Sequence, residues 1–68
     1  MEFQEKLRSL RKERGETQAQ DATAIGIGER HYQKFESGNN LPSFHNLCAL
    51  ADHFGVSMDY LAGRTDRR

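Results

Sequence analysis

Three groupings of residues in this sequence have the types and spacing for chemistry. His45, Cys48 and His53 fall in one segment, and His45 and Cys48 stand three apart, as neighbours on a helical face do. A structural zinc site needs four convergent ligands. His53 lies too far along the segment for the same ion and no fourth ligand accompanies them, so no metal is expected and Cys48 reads as a small residue at the edge of a core. Ser43, His45 and Asp52 are the residue types of a hydrolytic triad, but they share one segment with no Gly-rich elbow and no oxyanion donors, so no enzyme is expected. The third grouping is the polar run Gly28, Glu29, Arg30, His31, Gln33 and Lys34, interrupted by Tyr32. Cationic, amide and carboxylate groups on one helical face can bind a partner by hydrogen bonds and charge, or simply keep that face in water.

These side chains need elements to hold them. Phe3, Leu7 and Leu10 recur at i, i+4, i+7, one face of a first helix that Gly15 ends. Thr17 followed three residues later by Gln20 is a capping box for a second, small-sided helix containing Ala19, Ala22, Ala24 and Ile25, which stops at Gly26. A third helix follows Gly28, with Tyr32 and Phe35 turned inward, and ends in the turn Ser37-Gly38-Asn39-Asn40. Pro42-Ser43 opens a fourth, with Ser43 as N-cap and Leu47, Leu50, Ala51 and Phe54 at i, i+3, i+4, i+7. Ser57 caps a last short helix carrying Met58 and Leu61. No stretch alternates with period two over strand length, so the fold is expected to be all-α, a compact five-helix domain.

The stretch from Gln18 to Ser37 is therefore two short helices around a tight turn at Gly26, a helix-turn-helix. Ala22 lets the two helices cross closely, and glycine at Gly26 takes the left-handed backbone that the turn demands. An exposed polar helix of this width fits the major groove of B-DNA.

Composition narrows the classes further. Sixty-eight residues are read as one domain over residues 1–63, with a short basic tail over 64–68 that is expected to be solvated. Ten basic and ten acidic residues leave no net charge, so a case for nucleic acid rests on where the charges sit. The single cysteine forms no internal disulfide, residues 1–14 have no signal-peptide core, and no apolar run approaches the ~20 residues of a membrane span. A cytoplasmic protein with no membrane partner, no cofactor and no small-molecule substrate is expected.

The chain as a whole resembles the phage-repressor and Cro-type helix-turn-helix domain, a lambda-repressor-like fold, from about Phe3 to Gly63. The matching stretches are Leu10 to Gly15, Thr17-Gln18, Ala22, Ile25-Gly26-Ile27, Tyr32, Phe35 to Gly38, Pro42-Ser43, Leu47, Leu50-Ala51 and Phe54 to Leu61. The resemblance implies roles. Glu29, Arg30, Gln33 and Lys34 would read base edges; Gln18 would anchor to a phosphate, with Gly28, His31, Ser37, Asn39 and Asn40 along the DNA backbone. Arg11 and Glu36 would form a salt bridge tying the first helix to the end of the third, with Ala22 and Gly26 structural. The implied function is a sequence-specific regulator of transcription, a repressor, of bacterial or phage origin. It would bind duplex DNA as a homodimer that is weak, DNA-assisted, or built from the loop and helix around Leu41 to Asn46. The rival reading is a protein-interaction or antitoxin-like module on the same fold with weak DNA affinity, which the zero net charge favours.

One place departs from the resemblance. Leucines are usual where this chain has Glu16 and Asp21. With Thr17 as N-cap these are the N′ and N4 positions, the two ends of a hydrophobic staple. Two readings are open: a packing defect in which both carboxylates escape to solvent, which we prefer, and a functional use such as a partner surface or an acid-sensitive switch. Crowding of the two acids predicts a raised pKa for both.

Overall fold

The computed structural model describes residues 2–68. The five helices are α1 (Phe3–Glu13), α2 (Gln18–Ile25), α3 (Glu29–Ser37), α4 (Phe44–Phe54) and α5 (Met58–Leu61), with no strand among the described residues. Their boundaries follow from local chemistry. At α2 the Gln20 amide donates to Thr17 Oγ1 at 3.1 Å while the Thr17 amide donates to Gln20 Oε1 at 2.8 Å, which completes the capping box. Ser43 and Ser57 accept from the Asn46 and Tyr60 amides in the same way. A second capping box, Glu2 with Glu5, starts α1 where no cap was expected. Gly26 closes α2 at φ 80° and Gly38 closes α3 at φ 82°, left-handed backbone that a side chain would strain.

Each helix contributes its apolar stripe to one core. Phe3, Leu7 and Leu10 of α1 meet Tyr32 and Phe35 of α3, Leu50, Ala51 and Phe54 of α4, and Leu61 of α5. The expected inward residues Ile25, Ile27 and Leu47 are only partly buried and pack on the rim of this cluster. Full burial of a Leu or Phe side chain stabilises by about 1.5–3 kcal/mol. The small-sided α2 buries Ala22 rather than Ala19 or Ala24, which face solvent. Ala22 is buried on α2, which packs on α3, and a larger side chain there would push the helices apart.

The tail is not free. The Ser57 amide donates to the Arg68 carbonyl at 2.8 Å, and the Arg68 guanidinium makes two bonds to Glu13 on α1, at 2.9 and 2.5 Å. Beneath it Lys6 is buried, with its Nζ 3.7 Å from the centre of the Tyr60 ring and donating to the Thr65 carbonyl at 3.3 Å. The expectation of a solvated tail overlooked these return contacts, which no local pattern announces.

Candidate nucleic-acid interface

α3 is divided by its periodicity. Tyr32, Phe35 and Glu36 are buried, so Glu29, Arg30, His31, Gln33 and Lys34 are left on the outer side, all exposed. Gly28 is the N-cap and supplies no side-chain acceptor. The outer side chains carry little structure of their own: Gln33 makes a long 3.4 Å bond to Glu29, and the His31 ring leans on Phe35 at 4.8 Å between centroids. Where α3 ends, the amides of Asn39 and Asn40 fold back to the Lys34 carbonyl at 3.1 and 3.2 Å, and Ser37 Oγ donates to the same oxygen. The loop side chains therefore project from a tied-down backbone.

Arg8, Arg11, Lys12, Gln18, Gln33, Glu36 and Ser37 line an open groove of about 380 Å³ between α1, α2 and α3. Its floor is the expected salt bridge. Arg11 Nε donates to Glu36 Oε2 at 2.7 Å and Arg11 Nη2 to Oε1 at 3.0 Å, a two-point pair in which the Glu36 side chain is 3% exposed and that of Arg11 is 15% exposed. Gln18 Nε2 donates to the same carboxylate at 3.1 Å, so the residue expected at a phosphate is also held against the floor. Arg8 donates to the Glu36 carbonyl at 2.8 Å. Burial alone would raise the Glu36 pKa, but the hydrogen bonds from Arg11 and Gln18 outweigh it and hold the carboxyl below its usual range. Arg8 and Lys12 line this groove although the sequence reading did not single them out. Their four-residue spacing on α1, with Arg11 beside them, was the signal for a basic ridge along this groove.

The two acids of α2 and its approach behave differently from the preferred reading. Asp21 is fully buried and does not escape to solvent. Its Oδ2 accepts from the Tyr32 hydroxyl at 3.0 Å, and its Oδ1 lies 3.2 Å from His53 Nε2. Glu16 Oε1 lies 2.9 Å from the same nitrogen, and its Oε2 accepts from Arg14 Nε at 3.0 Å. A polar cluster thus replaces the staple, and His53 belongs to it rather than to His45 and Cys48. The basic neighbours of the acids are Arg14 and His53, not residues of the groove. The pKa values split. Burial, then the hydrogen bond with Glu16, pushes Asp21 up to about 6, while hydrogen bonds with Asp21 and His53 hold Glu16 down to about 2. Only one acid moves in the expected direction, because two crowded carboxyls share one proton and the drier one keeps it.

A sequence profile described as helix-turn-helix matches residues 7–61. The chain belongs to the helix-turn-helix family. This is a family of DNA-binding regulators and not an enzyme class. The chain is 45% identical over 64 residues to the cryptic phage CTXphi transcriptional repressor RstR of Vibrio cholerae, covering 94% of this chain and 57% of the relative. It is 39% identical over 62 residues to the uncharacterized HTH-type transcriptional regulator YobD of Bacillus subtilis, covering 91% of this chain and 55% of that one. It thus spans a little over half the length of these curated relatives. The P22 c2 repressor, solved in complex with a synthetic operator, superposes with a TM-score of 0.90 at 26% identity, covering 96% of this chain and 98% of that one. No helix among the described residues is long and apolar enough to cross a membrane.

Proposed function

We propose that this helix-turn-helix domain is a sequence-specific duplex-DNA-binding regulator of transcription, a repressor, that reads the major groove with α3. The observation that carries the reading is the division of α3: Tyr32 and Phe35 lock the helix to the core, and Glu29, Arg30, Gln33 and Lys34 project outward with one long bond, Gln33 to Glu29, among them. Arg30 is suited to a two-point bond with guanine, Glu29 to accept from cytosine N4, and Gln33 to pair with adenine. Gln18 and Ser37, which line the groove with Arg8 and Lys12, are assigned to phosphates, and so are His31, Asn39, Asn40 and the Gly28 end of α3. The P22 c2 repressor, whose solved structure holds operator DNA, supports duplex DNA as the partner.

The working unit is a weak, DNA-assisted homodimer in the cytoplasm. Leu41 and Phe44, 77% and 76% exposed, stand beside an apolar groove of about 260 Å³ lined by Phe3, Leu41, Pro42, Leu47 and Ala62, within the segment expected to pair. Selection from a random duplex pool gives the preferred site. On it Arg30→Ala should weaken binding by about 1–3 kcal/mol and relax one base position, whereas Gln18→Ala should weaken all sequences alike. Unchanged affinity and base preference in Arg30→Ala would overturn the assignment of α3, and a wild-type domain that shifts no duplex at low salt would favour the protein-interaction module.

A further inference from the structure

The Glu16–Asp21–His53 cluster brings three candidate ligand atoms from three parts of the chain within 4.8 Å of one another. Two carboxylate oxygens from different residues, Glu16 Oε1 and Asp21 Oδ1, converge on one nitrogen, His53 Nε2, at 2.9 and 3.2 Å. An imidazole nitrogen bears one hydrogen at most, so it serves one of these oxygens well and leaves the other facing a lone pair or a shared proton. A cation at the centre serves all three atoms at once. With metal–ligand bonds of ~2.0–2.2 Å, adjacent ligand atoms stand roughly 3.0–3.5 Å apart. Of the two measured separations one lies within that spacing and the other just below it, and all three ligand atoms fall within 4.8 Å of one another.

A second observation concerns what holds the ligands. Each carboxylate has its other oxygen fixed by a donor from a different element: Arg14 Nε holds Glu16 Oε2 at 3.0 Å, and the buried Tyr32 hydroxyl holds Asp21 Oδ2 at 3.0 Å. Arg14 also donates to the His53 carbonyl at 2.9 Å, which clamps the end of α4 beside Glu16. Metal ligands are characteristically oriented by such outer hydrogen bonds. Asp21 is fully buried while the Glu16 and His53 side chains are about one-fifth exposed, so the cluster is closed on one side and open to an ion and its remaining water on the other.

We propose that Glu16, Asp21 and His53 form a binding site for one divalent first-row transition ion of the zinc or cobalt class, which joins α2 to the end of α4. One imidazole and two carboxylates suit such an ion better than magnesium or calcium, which favour all-oxygen shells. Three protein ligands leave at least one coordination position for water. The site shares no residue with the groove of Arg8, Arg11 and Gln18, and it stands whether or not α3 reads DNA.

The test uses the whole chain, stripped with a chelator and melted with added Zn²⁺, with Co²⁺ as a spectroscopic probe. Zn²⁺ in severalfold excess should raise the Tm by about 5 °C or more, and an equal concentration of Mg²⁺ should leave it unmoved. Co²⁺ should bind at one equivalent with visible d–d bands and no thiolate charge-transfer band. His53→Gln and Glu16→Gln should abolish both responses, whereas Cys48→Ser should keep them. Glu16→Gln changes a partly exposed side chain and carries the test if His53→Gln does not fold. A wild-type Tm that Zn²⁺ does not move, a response that survives in Glu16→Gln, or one lost in Cys48→Ser would each overturn the site.

Discussion

Removing Arg11 should destabilise this domain more than removing its partner. The Glu36 side chain is 3% exposed and that of Arg11 is 15% exposed, so Arg11→Met leaves a carboxylate in the dry floor of the groove, with Gln18 as its remaining close donor. Stripping one partner from a buried pair costs about 3–5 kcal/mol. Glu36→Gln leaves a guanidinium that still donates to the Glu16 carbonyl at 3.0 Å and reaches water, and should cost about 1–3 kcal/mol. A domain of 68 residues has roughly 3–10 kcal/mol in total, so Arg11→Met should sit near the edge of folding. The double variant should be more stable than the sum of the single losses implies, by about 0.5–3 kcal/mol. Urea melts followed by helical circular dichroism measure all four proteins. The pH dependence gives a second check. In the wild type the Glu36 pKa is lowered from its ordinary 4.5, so its contribution is present above that value and is lost as pH falls through the lower folded one. In Arg11→Met burial acts with less opposition and the folded value rises. Protonation then relieves the buried charge, and the gap between variant and wild type should narrow from pH 7 to pH 4.5. Additive losses with a gap constant in pH would refute the reasoning.

Three further outcomes follow from the same contacts. Restoring the staple with Glu16→Leu and Asp21→Leu gains about 1.5–3 kcal/mol per buried leucine but strands the buried Tyr32 hydroxyl at about 1–3 kcal/mol, so adding Tyr32→Phe should raise the Tm above that of the double variant. A triple variant that melts no higher than the double would show that the hydroxyl finds another acceptor. Duplex affinity should fall with salt at a shallow slope, as expected of few phosphate contacts on a chain without net charge, and a steep slope in mobility-shift titrations would show the local basic ridge to dominate. Phe44→Ser should leave helix content unchanged, since Phe44 lies outside the core, yet weaken DNA-assisted pairing in sedimentation; equal pairing would move the dimer contact elsewhere.

The elements were legible wherever a rule acts within one turn of helix. Thr17 with Gln20, Ser43, Ser57 and the glycines at Gly26 and Gly38 bound their helices as read, because capping and left-handed backbone are local physics. The outer face of α3 was legible for the same reason, since Tyr32 and Phe35 fix which side turns inward. The contacts that escaped all join distant parts of the chain. His53 meets Asp21 across 32 residues, and Lys6 meets the Thr65 carbonyl across 59. Asp21 breaks the pattern of its helix, and the pattern shows the breach without showing what fills it. An acid at a core position reads as an error until the histidine and tyrosine that satisfy it are in view. The basic ridge on α1 was visible as spacing, but its purpose depends on α2 and α3 lying alongside.

The burial of Lys6 under the returning tail makes the chain a reporter of its own breathing. Of the three lysines, Lys12 and Lys34 meet solvent freely, whereas the Lys6 amine is sandwiched between the Tyr60 ring and the Thr65 carbonyl. An amine-reactive reagent should mark the first two at once and Lys6 only when the strap lifts. The lag in its labelling, read by mass spectrometry of the digested chain, would clock that local opening directly. A clock of this kind keeps time without any label being engineered in, and a ligand that tightens the end of the fold would slow it while the two exposed amines serve as the internal standard.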